Sequence, residues 1–160
     1  MIGARTLALA VTLVSGIVLA QMAPPIALAQ MAPSDIVIED GAVATPLTSA
    51  PGDPATGRAT FAGRKLGNCL ACHQNGDLAN EELFHGEVGP PLDGVADRWT
   101  EAELRAIVIN SKQVFGEHTI MPAFYRDTGF NRPLEDFEGK TILTAQQVED
   151  LVAYLQTLRE

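Results

Sequence analysis

Cysteine is nearly absent: two residues in 160, Cys69 and Cys72, three positions apart. So close a pair cannot staple distant segments, which excludes a disulfide framework and gives the two thiols a local purpose. Positive charge is also scarce. Eleven Lys and Arg stand against twenty Asp and Glu, a formal net charge of −9, which argues against nucleic-acid binding and is compatible with steering toward a basic partner surface. No internal repeat is visible, and the length suits one modest domain. The chain also lacks a comfortable membrane span: its main apolar run, Thr6 to Ala20, is shorter than the roughly 20 strongly apolar residues that a span needs and is rich in Ala and Gly.

That run does have the features of an export signal. A single positive charge, Arg5, precedes it, and a small-x-small site follows at Ala27-Leu28-Ala29, with Val18-Leu19-Ala20 as an alternative. Residues 1–29 are expected to be a signal peptide, the competing reading being an uncleaved anchor helix. Cleavage there removes Arg5 and no acidic residue, taking the formal charge from −9 to −10. The expected location is the periplasm, with no membrane association after cleavage.

Residues 30–53 are rich in Ala, Pro, Ser and Thr, and Pro33, Pro46 and Pro51 block any long regular element, so this segment reads as an extended arm or linker. A domain over residues 54–160 is expected to begin with a helix from Ala55 to Leu66, with Asp53 as N-cap and Pro54 at the first helical position. A second helix starts after Trp99, where Thr100 and Glu103 make a capping box and Leu104, Ile107 and Val108 supply the buried stripe, extended by Val114. Thr144 and Gln147 repeat the capping signature before Val148, Leu151, Val152, Leu155 and Leu158, with Tyr154 alongside. Residues 74–98 and 112–141 are studded with Gly and Pro and show no sustained alternation. The expected fold class is all-α, with long loops of the kind that wrap a ligand.

The segment Asn68-Cys69-Leu70-Ala71-Cys72-His73-Gln74 contains Cys-x-x-Cys-His, in which two thiols add to the haem vinyl groups and the adjacent imidazole reaches the iron. One covalently bound haem c is the cofactor this predicts. Zinc is the competing reading, but it needs four ligands, and the remaining histidines, His85 and His118, are unpaired in the sequence. A dithiol redox site would expect an α/β context. An electron-carrying iron wants a second axial ligand, and Met121, stiffened by Pro122, is the candidate. A plain core methionine with His118 or His85 as ligand, or an open iron, remain as alternatives. A carbonyl in the rigid Gly89-Pro90-Pro91-Leu92 loop is a candidate acceptor for the other nitrogen of His73, against an ordinary proline turn. Arg98 and Trp99 are candidates for contacts to the haem propionates, Trp99 being equally placed to anchor the core.

From about Gly57 to Leu158 this order of features resembles the class I cytochromes c. The resemblance implies their fold, a few helices and long loops around one haem, with Gly57 and Phe61 of the first helix crossing the last helix at Tyr154. It also implies that the Pro90 carbonyl partners His73 and that Met121 is the distal ligand. A closer likeness runs through Gly67 to Gln74, Val88 to Leu92, Ala96 to Trp99, Phe115 with Gly116, Thr119 to Tyr125, and Leu143 to Leu155. These segments look like the SoxX family, monohaem subunits of the periplasmic SoxAX cytochrome of thiosulfate oxidation. The likeness implies a heterodimer with a SoxA subunit that carries the catalytic haem, the SoxYZ carrier as the protein acted on, and a cytochrome c as electron acceptor. It implies no catalytic residue on this chain, which would relay electrons. The arm, with its apolar Ile36-Val37-Ile38, is a candidate for packing on the partner.

Overall fold

The computed structural model describes residues 29–160; apart from Ala29, the expected signal peptide lies outside them. Four helices follow in chain order: α1 (Pro54–Ala62), α2 (Val95–Arg98), α3 (Glu101–Phe115) and α4 (Ala145–Leu155). Among the described residues there is no strand, only isolated bridges between Gln30 and Thr48 and between Glu39 and Ala42. No helix there is long and apolar enough to cross a membrane.

Local chemistry accounts for where the helices begin. Asp53 accepts the amide of Thr56 at 2.6 Å and Pro54 follows, satisfying one orphan amide and removing another. Thr100 with Glu103, and Thr144 with Gln147, form reciprocal capping boxes. The ends and interruptions are less local. α1 stops at Ala62, short of Leu66, because Gly63 leaves helical geometry and the chain folds back so that the Gly67 amide reaches the Thr60 carbonyl at 3.1 Å. α2, in a stretch expected to be loop, starts from Gly94 in the left-handed region and is too short to show a helical period in sequence. α3 is kinked at Asn110.

α4 is the centre of the core, with Val148, Leu151 and Val152 at most 1% exposed. α1 crosses it at Gly57, where an added Cβ would lie 1.9 Å from the Asp150 carbonyl oxygen and 2.9 Å from Tyr154 Cβ. Phe61 and Tyr154 meet edge to face beside the crossing, centroids 5.5 Å apart at 68°. Gly57→Ala is therefore expected to force the two helices apart and to destabilise by about 3 kcal/mol, since the obstructing atoms are backbone. A denaturant midpoint unchanged from wild type would contradict this.

Residues 30–53 make one 3₁₀ turn at Pro33–Asp35 and a tight turn at Asp40–Gly41. They pack on their own domain. Val43 and Leu47 are buried, the Val43 amide donates to the Ala102 carbonyl at 2.9 Å, and the Leu47 amide donates to Glu149 Oε1 at 2.8 Å. Ile36 and Ile38 lie partly buried against the core while Val37 is 67% exposed. Beneath the arm Arg105 is buried, its Nε 2.9 Å from Glu149 Oε1, and it also pairs with Glu101 and donates to the Val43 carbonyl at 3.0 Å.

Four surface carboxylates are expected to contribute to stability in acid. Bonds from Thr56 hold Asp53, and bonds from Thr100 hold Glu103, below the ordinary values of 3.8 and 4.5. Hydrogen bonding to Arg58 does the same for Asp77 and Glu81. A carboxyl whose pKa is depressed by folding contributes its stability fully above the unfolded value and loses it as pH falls through the folded one. Thermal melts should therefore show no loss from these groups between neutrality and about pH 5, then a progressive fall below about pH 4. A midpoint flat to about pH 2 would show that they contribute nothing.

Candidate functional site

The Cys-x-x-Cys-His segment is shaped by a left-handed residue and a tight turn. Asn68 has φ 50°, Cys69–Ala71 form a 3₁₀ turn, and the His73 amide donates back to the Cys69 carbonyl at 2.9 Å. Leu70 turns into the core, while Cys69, Cys72 and His73 remain half-buried. The two cysteines form no disulfide with each other, and burial pushes the Cys69 thiol up to about 12. A dithiol redox centre wants the opposite shift, toward the reactive thiolate.

The loop that follows lies unusually close to this segment. The Gly86 amide donates to the Leu70 carbonyl at 2.8 Å, and a Cβ on Gly86 would stand 2.1 Å from the Ala71 carbonyl oxygen. The Gly89 amide donates to the Cys72 carbonyl at 2.7 Å, and a Cβ there would stand 2.3 Å from His73 Cε1. Neither close approach was anticipated from sequence; the only signal was two glycines three apart. The contact they permit is the decisive one: His73 Nδ1 lies 2.7 Å from the Pro90 carbonyl oxygen. A carbonyl only accepts, so Nδ1 carries the proton and Nε2 is left with its lone pair for a metal.

Arg98 reaches into the same loop, donating to the Asp93 carbonyl at 2.7 Å and to the Pro91 carbonyl at 2.9 Å. It thus clamps the loop that presents Pro90. Trp99 is partly buried against the core and meets Phe115 edge to face, centroids 6.1 Å apart. Met121 is also partly buried against that core, as is Cys69. The polypeptide just after His73 is anchored by a network absent from the sequence reading: fully buried Asn75 donates through Nδ2 to the Tyr154 hydroxyl at 2.8 Å, which donates to Asp77 at 2.8 Å. Burial raises the pKa of the Tyr154 phenol, which stays protonated and able to donate.

The two other histidines are placed differently. His85 Nδ1 accepts the Asn75 amide at 3.3 Å, which puts the proton on its buried Nε2, the wrong tautomer for binding a metal there. His118 is exposed in the loop before Met121. Among the described residues no group of three or more His, Cys, Asp and Glu side chains is arranged to hold a metal ion, whereas two free thiols and an oriented imidazole on one short segment suit a covalent haem.

Comparison with known proteins agrees with haem c as the cofactor. The cytochrome c family model matches residues 54–159. The chain belongs to the cytochrome c family. Haem c binding and electron transfer follow from that membership, and the helical fold without strands is the one expected. Among solved structures the chain is similar to a chain in the crystal structure of SoxXA from P. pantotrophus, at 51% identity and a TM-score of 0.75, covering 82% of this chain and 99% of that one. The likeness to SoxX read from the sequence is thereby borne out. Comparison with curated proteins gives no match.

Proposed function

We propose that this cytochrome is the monohaem electron-relay subunit of a periplasmic SoxAX complex. In that complex thiosulfate is coupled oxidatively to a cysteine of a SoxYZ carrier, an L-cysteine S-thiosulfotransferase activity, and the electrons pass to an acceptor cytochrome c. The observation that carries the site is the 2.7 Å contact between His73 Nδ1 and the Pro90 carbonyl oxygen. The partner rests on the likeness to SoxXA over nearly the whole of that chain.

Haem c, when bound, supplies a one-electron iron couple. Cys69 and Cys72 would hold it by thioether bonds, and His73 would offer Nε2 to its iron. The Pro90 carbonyl fixes the tautomer and orientation of that ring and raises its basicity. Met121 would supply the second protein ligand to the iron, a soft thioether that would favour the reduced state and raise the potential. Arg98 positions the Pro90 loop through the Pro91 carbonyl, and Arg98 and Trp99 would contact the haem propionates. No residue of this chain activates substrate, which leaves bond making to a SoxA subunit.

Copurification from the native periplasm tests the assignment. A second cytochrome subunit is expected to accompany this chain, and both should be needed for thiosulfate-dependent reduction of a cytochrome c. Recovery of a monomeric haem protein alone would replace the relay subunit with a freely diffusing shuttle. Absence of a haem c spectrum would reject both readings.

A further inference from the structure

α3 leaves helical geometry at a single residue, Asn110, with φ −150° and ψ 79°. Such a break frees carbonyls that an uninterrupted helix would satisfy internally. Two of them are used by the segment that carries Met121: the Val108 carbonyl accepts the Phe124 amide at 3.2 Å, and the Ile109 carbonyl accepts the Tyr125 amide at 3.1 Å. Leu143 holds the same segment from the other side, its amide donating to the Phe124 carbonyl at 3.0 Å.

Immediately after the kink comes Ser111, 0% exposed. Its hydroxyl oxygen lies 2.7 Å from the Met121 carbonyl oxygen and 3.1 Å from that of Pro122. Carbonyls only accept, so the one hydroxyl proton must be directed at this pair. Pro122 has no amide proton to offer, and the bonds made by Phe124 and Tyr125 begin two residues further on. Ser111 is therefore the side chain that ties residue 121 itself to the kinked helix.

We propose that Ser111 is a positioning residue for the Met121 ligand, and that the kink at Asn110 exists to bring it there. The inference rests on the reading of Met121 as distal ligand. With the hydroxyl in place the loop is held closed and the thioether stays at the iron. Without it the Met121 and Pro122 carbonyls lose their hydroxyl donor, the loop opens more readily, and an outside ligand competes better for the distal position.

The test is imidazole binding to the ferric holoprotein, read together with the near-infrared methionine-to-iron charge-transfer band. Ser111→Ala is expected to bind imidazole about tenfold more tightly than wild type, equivalent to about 1.4 kcal/mol, with a weakened band. Ser111→Thr and Ser111→Val form a near-isosteric pair in case the alanine protein fails to fold: the threonine variant should stay near wild type and the valine variant should bind about tenfold more tightly than it. Thr48→Val, in the arm, removes a hydroxyl within hydrogen-bonding distance of the Ala50 carbonyl and of Gln146 in α4, and should lower stability while leaving imidazole affinity unchanged. Wild-type imidazole affinity and an intact band in the alanine and valine variants would overturn the proposal, as would an equal gain in affinity in Thr48→Val. A wild-type protein without the band overturns the Met121 assignment first, and this inference with it.

Discussion

Met121→Ala is expected to leave the haem covalently attached and the fold largely intact while abolishing the low-spin His/Met spectrum. The thioethers to Cys69 and Cys72 are independent of the distal side, so the mass of the haem protein should be unchanged apart from the substitution. Loss of a soft ligand that favours ferrous iron lowers the potential. Axial ligation as a whole moves haem potentials over about 0.8 V, and a fall on the order of 0.1–0.3 V is expected here. Optical spectroscopy and a redox titration of the same sample check both parts. An unchanged low-spin spectrum would move the ligand to a histidine. His118 would then be the better candidate, because His85 already uses Nδ1 to accept the Asn75 amide.

Arg105→Leu is expected to be the most damaging single change away from the haem. Its side chain and that of Glu149 are 2% and 5% exposed, and removing the guanidinium leaves a buried carboxylate whose remaining neutral donor is the Leu47 amide. Breaking a buried pair from one side costs about 3–5 kcal/mol, because the surviving charge has neither water nor a counter-ion. The Val43 carbonyl also loses the guanidinium that satisfies it, so the arm should loosen along with the core. Denaturant unfolding measures the loss. Replacing both partners, Arg105→Leu with Glu149→Leu, should recover most of it, since no unpaired charge then remains. If the single and double variants lost the same stability, the damage would come from packing rather than from the orphaned carboxylate.

These two sites differ in how far they could be read from the chain. The residues proposed to attach the haem lie in one contiguous stretch, and Cys69 to His73 announce that chemistry by spacing alone. The starts of α1, α3 and α4 were equally plain, because a cap such as Thr144 with Gln147 acts within a single turn. The crossing of α1 over α4 came by resemblance, and the clearance of 1.9 Å at Gly57 supplies its physical cause.

Contacts between residues remote in the chain were not legible. Arg105 and Glu149 lie 44 positions apart, and Leu47 finds Glu149 across 102, so nothing local marks Val43 and Leu47 as core in a segment otherwise composed like a linker. Ser111 reads as a polar residue near the end of a helix until the kink at Asn110 brings it to the Met121 carbonyl. Spacing along the chain thus specified which atoms attach the haem, since thiols and imidazole within five residues need no help to meet. Folding alone decided how firmly each residue proposed as an iron ligand is held: the Pro90 carbonyl behind His73 and the Ser111 hydroxyl behind Met121 are brought in from other elements, and only the packed structure brings them within hydrogen-bonding distance.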